Sequence, residues 1–152
     1  MLIFGIDTGT RTGWSFYDSK KQKVIESGVM DFSKKRGESN GMMFLRFRKW
    51  LRDMILDYGP GLIAYEQAHH RGGAATEIGV NLTGRVQEVA EEYVVPCATV
   101  HTATLKKFAT GKGNAGKLAM IEAAKSFLGR EPIDDNEADA VHISRWAAEE
   151  YA

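Results

Sequence analysis

The sequence predicts an α/β fold: one mixed, five-stranded sheet covered by helices. Two observations carry this. The first thirty residues read as three β-strands joined by short turns, and from about residue 40 onward helical periodicity alternates with short apolar runs. A meander followed by alternating helix and strand closes into a single sheet with helices packed on it. At 152 residues the chain is long enough for one core and too short for two, so residues 1–152 are read as one domain.

The elements follow in order. Leu2–Asp7, Gly13–Tyr17 and Val24–Phe32 have strand character, with turn chemistry at Thr8-Gly9-Thr10 and Asp18-Ser19-Lys20. Asn40–Tyr58 reads as a long helix, because Phe44, Phe47, Leu51, Met54, Ile55 and Tyr58 recur at helical spacing. Gly59-Pro60-Gly61 stops it. Leu62–Tyr65 is a short apolar run ending at Glu66, the mark of a buried strand. Ile78, Leu82, Val86, Val89 and Tyr93 outline a second helix, and Val94–Val100 a fifth strand. Two further helices are expected, from about Asn114 to Leu128 and from about Asp135 to Tyr151. The order is therefore β-β-β-α-β-α-β-α-α.

Composition narrows the setting. The chain is 43% hydrophobic and 26% charged, ordinary for a globular protein. No apolar run approaches the roughly 20 residues that span a bilayer. Met1–Asp7 lacks the basic start of a signal peptide, and the one cysteine, Cys97, excludes an intrachain disulfide framework. A cytoplasmic protein without membrane contact is expected. The net charge is zero but unevenly spread. Lys34–Arg52 carries seven basic residues and one acid, His101–Arg130 six and one, and Glu131–Ala152 one arginine and seven acids. A basic surface around an acidic pocket averages to zero in this way, and so do ordinary solvated helix faces.

Four acids fall where this topology would bring them together. Asp7 ends the first strand and Glu66 the fourth, its neighbour in the sheet. Asp135 and Asp139 are four apart at the start of the last helix and share a face. Singly, each has a plain reading: Asp7 as a turn residue, Glu66 as a strand-end charge, Asp134 as an N-cap completed by Glu137 in a capping box. Together, clustered carboxylates repel and need protonation or a cation. Oxygen-only ligands favour Mg²⁺, with Mn²⁺ able to substitute. Two such ions about 4 Å apart can activate a water and stabilise a leaving oxygen in phosphodiester hydrolysis.

The element order is that of the ribonuclease H-like fold, and at these residues the chain resembles the RuvC-type Holliday-junction resolvases. The resemblance covers nearly the whole chain: Gly5-Ile6-Asp7 with its small-residue turn, Tyr65-Glu66-Gln67, Lys106, Lys117, then Asp135-Asn136-Glu137-Ala138-Asp139-Ala140. It implies a structure-specific DNA endonuclease acting on four-way junctions, with two Mg²⁺ ions per site held by Asp7, Glu66, Asp139 and a second helix-borne aspartate. It implies that Lys117 and Lys106 meet the scissile region or the DNA backbone. A single domain makes one nick at a time and a four-way junction needs two, so a C2 homodimer is expected. The resemblance places the second helix at the contact, where Gly79 and Gly84 would allow close approach. One departure stands out: bacterial resolvases space the last two acids by three, where this chain has Asn136. A spacing of four, as in fungal mitochondrial relatives, selects Asp135.

The remaining expected DNA contacts lie in two segments. Lys106, Lys107, Lys112 and Lys117 lie in a glycine-rich basic segment suited to phosphate. His69, His70 and Arg71 follow Glu66, in a loop that the resemblance places at the junction centre. Gly111–Lys117 fits most of a nucleotide-binding P-loop, but Leu118 replaces the metal-binding hydroxyl and no strand leads in, so no nucleotide cofactor is expected. Asp7-Thr8-Gly9-Thr10 resembles a sugar-kinase phosphate loop, but those proteins use two domains. A ribonuclease H acting on RNA–DNA hybrids, or a broader branched-DNA nuclease, is the alternative. Ribonuclease H takes a glutamate from its first helix, and the corresponding helix here offers only Asp53 and Asp57, both late.

Overall fold

A computed structural model describes residues 1–68 and 72–152. Its elements are β1 (Leu2–Asp7), β2 (Arg11–Asp18), β3 (Lys23–Asp31), α1 (Asn40–Tyr58), β4 (Leu62–Glu66), α2 (Ala74–Glu92), β5 (Cys97–Val100), α3 (Thr102–Thr110), α4 (Lys117–Leu128) and α5 (Asp135–Tyr151). The sheet order is β3-β2-β1-β4-β5. β1, β2 and β3 pair antiparallel, while β4 runs parallel to β1 and β5 parallel to β4. The expected mixed sheet of five strands is present, flanked among the described residues by five helices rather than four.

The extra helix, α3, lies where a loop was expected. Its nine residues include three threonines, and a single side chain, Leu105, is buried. That is too short a stretch, with too many β-branched residues, to register as helical periodicity. Lys106 and Lys107 therefore sit on a helix, and the glycine-rich connection shrinks to Gly111–Gly116. β5 also begins later than expected. Val94 has φ 57 and the Val95 amide donates back to the Ala90 carbonyl at 2.8 Å, so these two residues close α2 instead of opening a strand.

Strand alternation builds two cores. Phe4, Ile6, Phe16, Ile63 and Tyr65 point to one face and pack against α1 and α2 through Phe47, Trp50, Leu51, Leu82, Val86 and Val89. Ile3, Leu62, Ala64 and Val100 point to the other face, against Leu105, Met120, Ile143 and Trp146 of α3, α4 and α5. On that second face α5 approaches the strands at backbone distance. A Cβ on Gly13 would lie 1.9 Å from the Asn136 carbonyl oxygen, and one on Gly5 2.6 Å from that of Ala140. Only residues without a side chain permit this seat.

The basic run on α1 takes the plain reading. Arg46 pairs with Glu38, Arg48 with Glu88 and Glu92, Lys49 with Asp53, and Arg52 with Glu92. These residues form a mutually neutralised helix surface on the sheet face away from α5.

Candidate metal centre

The site follows from register. Ile6 of β1 pairs with Tyr65 of β4, so Asp7 and Glu66 leave adjacent parallel strands at the same end and point to the same face. That face is the one on which α5 lies. The close approach of α5 at Gly13 and Gly5 sets its first turns beside the strand ends, and Asp139 arrives between them. One carboxylate oxygen from each of Asp7, Glu66 and Asp139 lies within 4.8 Å of the other two.

Burial and mutual repulsion act on these acids. Burial first, then Asp139, Glu66 and Asp135, push Asp7 well above the ordinary carboxylate range. Burial, Glu66 and Asp135 raise Asp139 to about 7, against the opposing pull of Lys106. Asp139 Oδ1 is buried and has no hydrogen-bond partner among the described residues. An orphaned buried oxygen in an all-oxygen, anionic cluster suits a hard divalent cation.

Around this cluster lies a cleft of about 560 Å³. Lys106 of α3 and Lys117 at the start of α4 form one side; Ala75, Thr76 and Gly79 of α2 line it as well. Lys117 Nζ stands 3.9 Å from Asp135 Oδ2 with its side chain 82% exposed, a loose pair that leaves the ammonium available. Lys107 and Lys112 are exposed and do not line the cleft. Gly79 faces the cleft and Ala68, so it offers no outer surface to a partner; beside Gly84 the space is open. His69, His70 and Arg71 lie outside the described residues.

The two neighbouring aspartates of α5 are sorted by their contacts. Asp134 caps the helix, accepting from the Glu137 amide at 3.0 Å, and receives Arg11 Nε and Nη2 at 3.2 and 3.0 Å. Partial burial raises its carboxyl, and the Glu137 amide with Arg11 more than offsets this, leaving it below the usual range. Asp135 lines the cleft but stands outside the three-acid group. The expected capping box is altered, since Glu137 reaches past Asp134 to the Ile133 amide at 2.7 Å.

Glu137 does more than cap. Fully buried, it takes Arg130 at 2.6 and 3.0 Å and the Ser27 hydroxyl at 2.7 Å. Burial raises its carboxyl, and Arg130 with the other donors more than offsets this, leaving it below the ordinary value. This network ties the start of α5 to β3. Residue patterns gave no sign of it, nor of Arg11, Ser144 or Thr102. Ser144 bonds Ser15 at 3.1 Å under the sheet, and the Thr102 hydroxyl donates to Glu66 Oε1 at 3.0 Å. The signal that marks Thr102 is its place as the first residue of α3, which is legible only once that short helix is in view.

The fold and this acidic strand-end cluster define the class: a chain of the ribonuclease H-like fold with carboxylates placed as a metal ion would need them. Within that class the likeness is to RuvC. The chain is 27% identical over 155 residues to the crossover junction endodeoxyribonuclease RuvC of Brachyspira hyodysenteriae, covering 95% of this chain and 91% of that one. It is 27% identical over 150 residues to RuvC of Rickettsia conorii, covering 95% and 94%. Thermus thermophilus RuvC, solved in complex with Holliday junction substrate, superposes with a TM-score of 0.82 at 22% identity over 97% of this chain and 93% of that one. No family model matches the chain. The resemblance seen in the motifs thus extends over 95% of the chain. Among the described residues no helix is long and apolar enough to cross a membrane.

Proposed function

We propose that this protein is a RuvC-like, structure-specific endodeoxyribonuclease that resolves four-way DNA junctions. The observation that carries the reading is the three-acid group at the floor of a lysine-edged cleft, in a chain similar to RuvC from end to end. Asp7, Glu66 and Asp139 hold divalent cations, Mg²⁺ in the cell, and Asp135 completes the set from the rim. When bound, such ions lower the pKa of water and stabilise the leaving oxygen of a phosphodiester.

The chain's own residues do the rest. Lys106 and Lys117 draw the scissile strand against the acids, where its phosphate would otherwise be repelled. Lys107 and Lys112, exposed beyond the cleft, extend the phosphate track, and His69, His70 and Arg71 meet the junction centre. Ala75, Thr76 and Gly79 line the cleft with little bulk, which leaves room for a sugar-phosphate chain. One cleft makes one nick, so paired nicks come from a C2 dimer, the commonest closed symmetry. The outer surface of α2 is the contact; there Val80 is 43% exposed and the space beside Gly84 is open.

A panel of junction, flap, duplex and RNA–DNA hybrid substrates with Mg²⁺ tests the activity. Symmetric cleavage of the four-way junction is expected. Preferential cleavage of the hybrid would replace this reading with a ribonuclease H. Sedimentation at micromolar concentration tests the dimer, and a strict monomer both free and on junction DNA would remove the paired-nick mechanism.

A further inference from the structure

Backbone pairing places α3 directly against the metal centre. Glu66 of β4 lies opposite Val100 of β5, and the Gln67 amide donates to the Val100 carbonyl at 2.9 Å. After Val100 the chain needs one residue, His101, before α3 begins at Thr102. The first side chain of that helix therefore stands beside the last side chain of β4. Its hydroxyl donates to Glu66 Oε1 at 3.0 Å in a partly buried setting. One helical turn later, Lys106 lines the same cleft on the same face of α3.

The three clustered acids differ in what is needed to hold them still. Asp7 and Asp139 have short side chains on elements fixed by sheet pairing and by the glycine seat of α5. Glu66 has a further rotatable bond, and losing that freedom costs free energy each time a cation is bound. A donor that fixes the carboxylate in advance removes part of that cost. Threonine suits this role because its branched Cβ restricts rotation about χ1.

We propose that Thr102 is a positioning residue that orients the Glu66 carboxylate for divalent-cation binding. The inference rests on the reading of Asp7, Glu66 and Asp139 as metal ligands and adds a non-ligating member to that site. Hydrogen-bonded partners of metal ligands are worth about 10- to 100-fold in metal affinity.

The test is Mn²⁺ binding to the whole protein without DNA, measured by titration calorimetry, for wild type, Thr102→Val, Thr102→Ala and Thr102→Ser. Valine keeps the shape and removes the hydroxyl; alanine guards against a valine variant that folds poorly. Both are expected to bind Mn²⁺ about 10-fold more weakly, with serine closer to wild type. Junction affinity in EDTA is expected to stay unchanged. Wild-type Mn²⁺ affinity in the valine or alanine variant overturns the proposal. So does a serine variant as weak as valine, because the methyl group rather than the hydroxyl would then be responsible. Junction cleavage, assayed in parallel, separates this inference from the function above. Thr102-dependent Mn²⁺ binding without any cleavage of branched DNA would defeat the nuclease reading and leave the positioning role standing.

Discussion

On one face of the sheet Phe4 stacks on Phe16 at 4.3 Å and Phe16 on Tyr58 at 3.9 Å, with Phe47 and Trp50 closing the layer. On the other face α5 rests on Gly5 and Gly13, and its buried residues include Glu137, His142 and Ser144. The first face is held by area removed from water, which is tolerant of small shifts in position. The second has an apolar core as well, through Ile3, Leu62, Leu105 and Ile143, and adds backbone contact and directed polar bonds, which tolerate little displacement. The acidic cluster belongs to the second face, and the separation of its carboxylates follows from where α5 sits. Both sides of the sheet contribute stability, but the geometry of the acidic cluster depends on the side where α5 sits.

The sharpest way to break this comparison is one large substitution on each side. Phe47→Ala is expected to cost about 3–5 kcal/mol in urea unfolding while the molecules that remain folded keep their activity. Asp7→Asn is expected to do the opposite. Electrostatic groups at reacting centres are worth about 100-fold or more, so junction cleavage should fall at least that far. The metal-free variant should melt higher than wild type at neutral pH. The sign follows from the raised folded-state pKa of Asp7. The native state favours the protonated form, so stability is lost as pH rises above the ordinary carboxylate value, and the neutral amide removes that loss. A lower melting temperature for Asp7→Asn would count against the repulsive cluster.

Glycine substitutions sharpen the same contrast. Gly13→Ala places a methyl into the Asn136 backbone and is expected to destabilise by about 3 kcal/mol or more, because neither element can give way cheaply. Gly84→Ala on α2, where the space is open, is expected to stabilise by about 0.5–1 kcal/mol through helix propensity. Equal effects at the two positions would mean that α5 is not seated on the strand backbone.

His142 gives the polar face a pH signature. Its Nε2 meets the Met120 carbonyl at 3.0 Å, with Arg145 3.4 Å from Nδ1. Burial lowers its pKa to about 4, with the neighbouring Arg145 charge acting in the same direction and the Met120 bond opposing. The unfolded chain takes up a proton near 6.5 while the folded one does not, so stability present above that pH is lost as pH falls from 6.5 toward 4. The loss amounts to about 3 kcal/mol. The acidic cluster titrates over part of the same window with the opposite sign, so the measurement is the difference between wild type and His142→Gln. The difference should shrink steadily below pH 6.5; a constant difference would show that the imidazole is not held neutral.

The smallest expected effect tests how Asp134 and Asp135 are sorted. Asp134→Asn keeps an N-capping side chain and loses the charge facing Arg11, costing about 1 kcal/mol or less with cleavage retained. Asp135→Asn should leave the melting temperature near wild type and slow cleavage substantially. The reverse pattern would shift the ligand register of α5 by one residue.

Period and punctuation were enough to read the strands, α1, and the ends of β1 and β4 at which Asp7 and Glu66 stand. The spacing of α5 was enough to read Asp139. These are local properties: alternation decides which residues share a face, and a charge ending an apolar run has one place to go. The seat of α5 on Gly13, the burial of Glu137 against Arg130 and Ser27, and the diversion of Asp134 to Arg11 belong to the tertiary structure. Ser27 meets Glu137 across 110 residues and Arg11 meets Asp134 across 123. Such contacts leave no periodic trace, because a directed polar bond depends on two side chains arriving together within a few tenths of an ångström. Hydrophobic pattern decides which face a residue takes; only the packed chain decides which carboxylate is left free to bind.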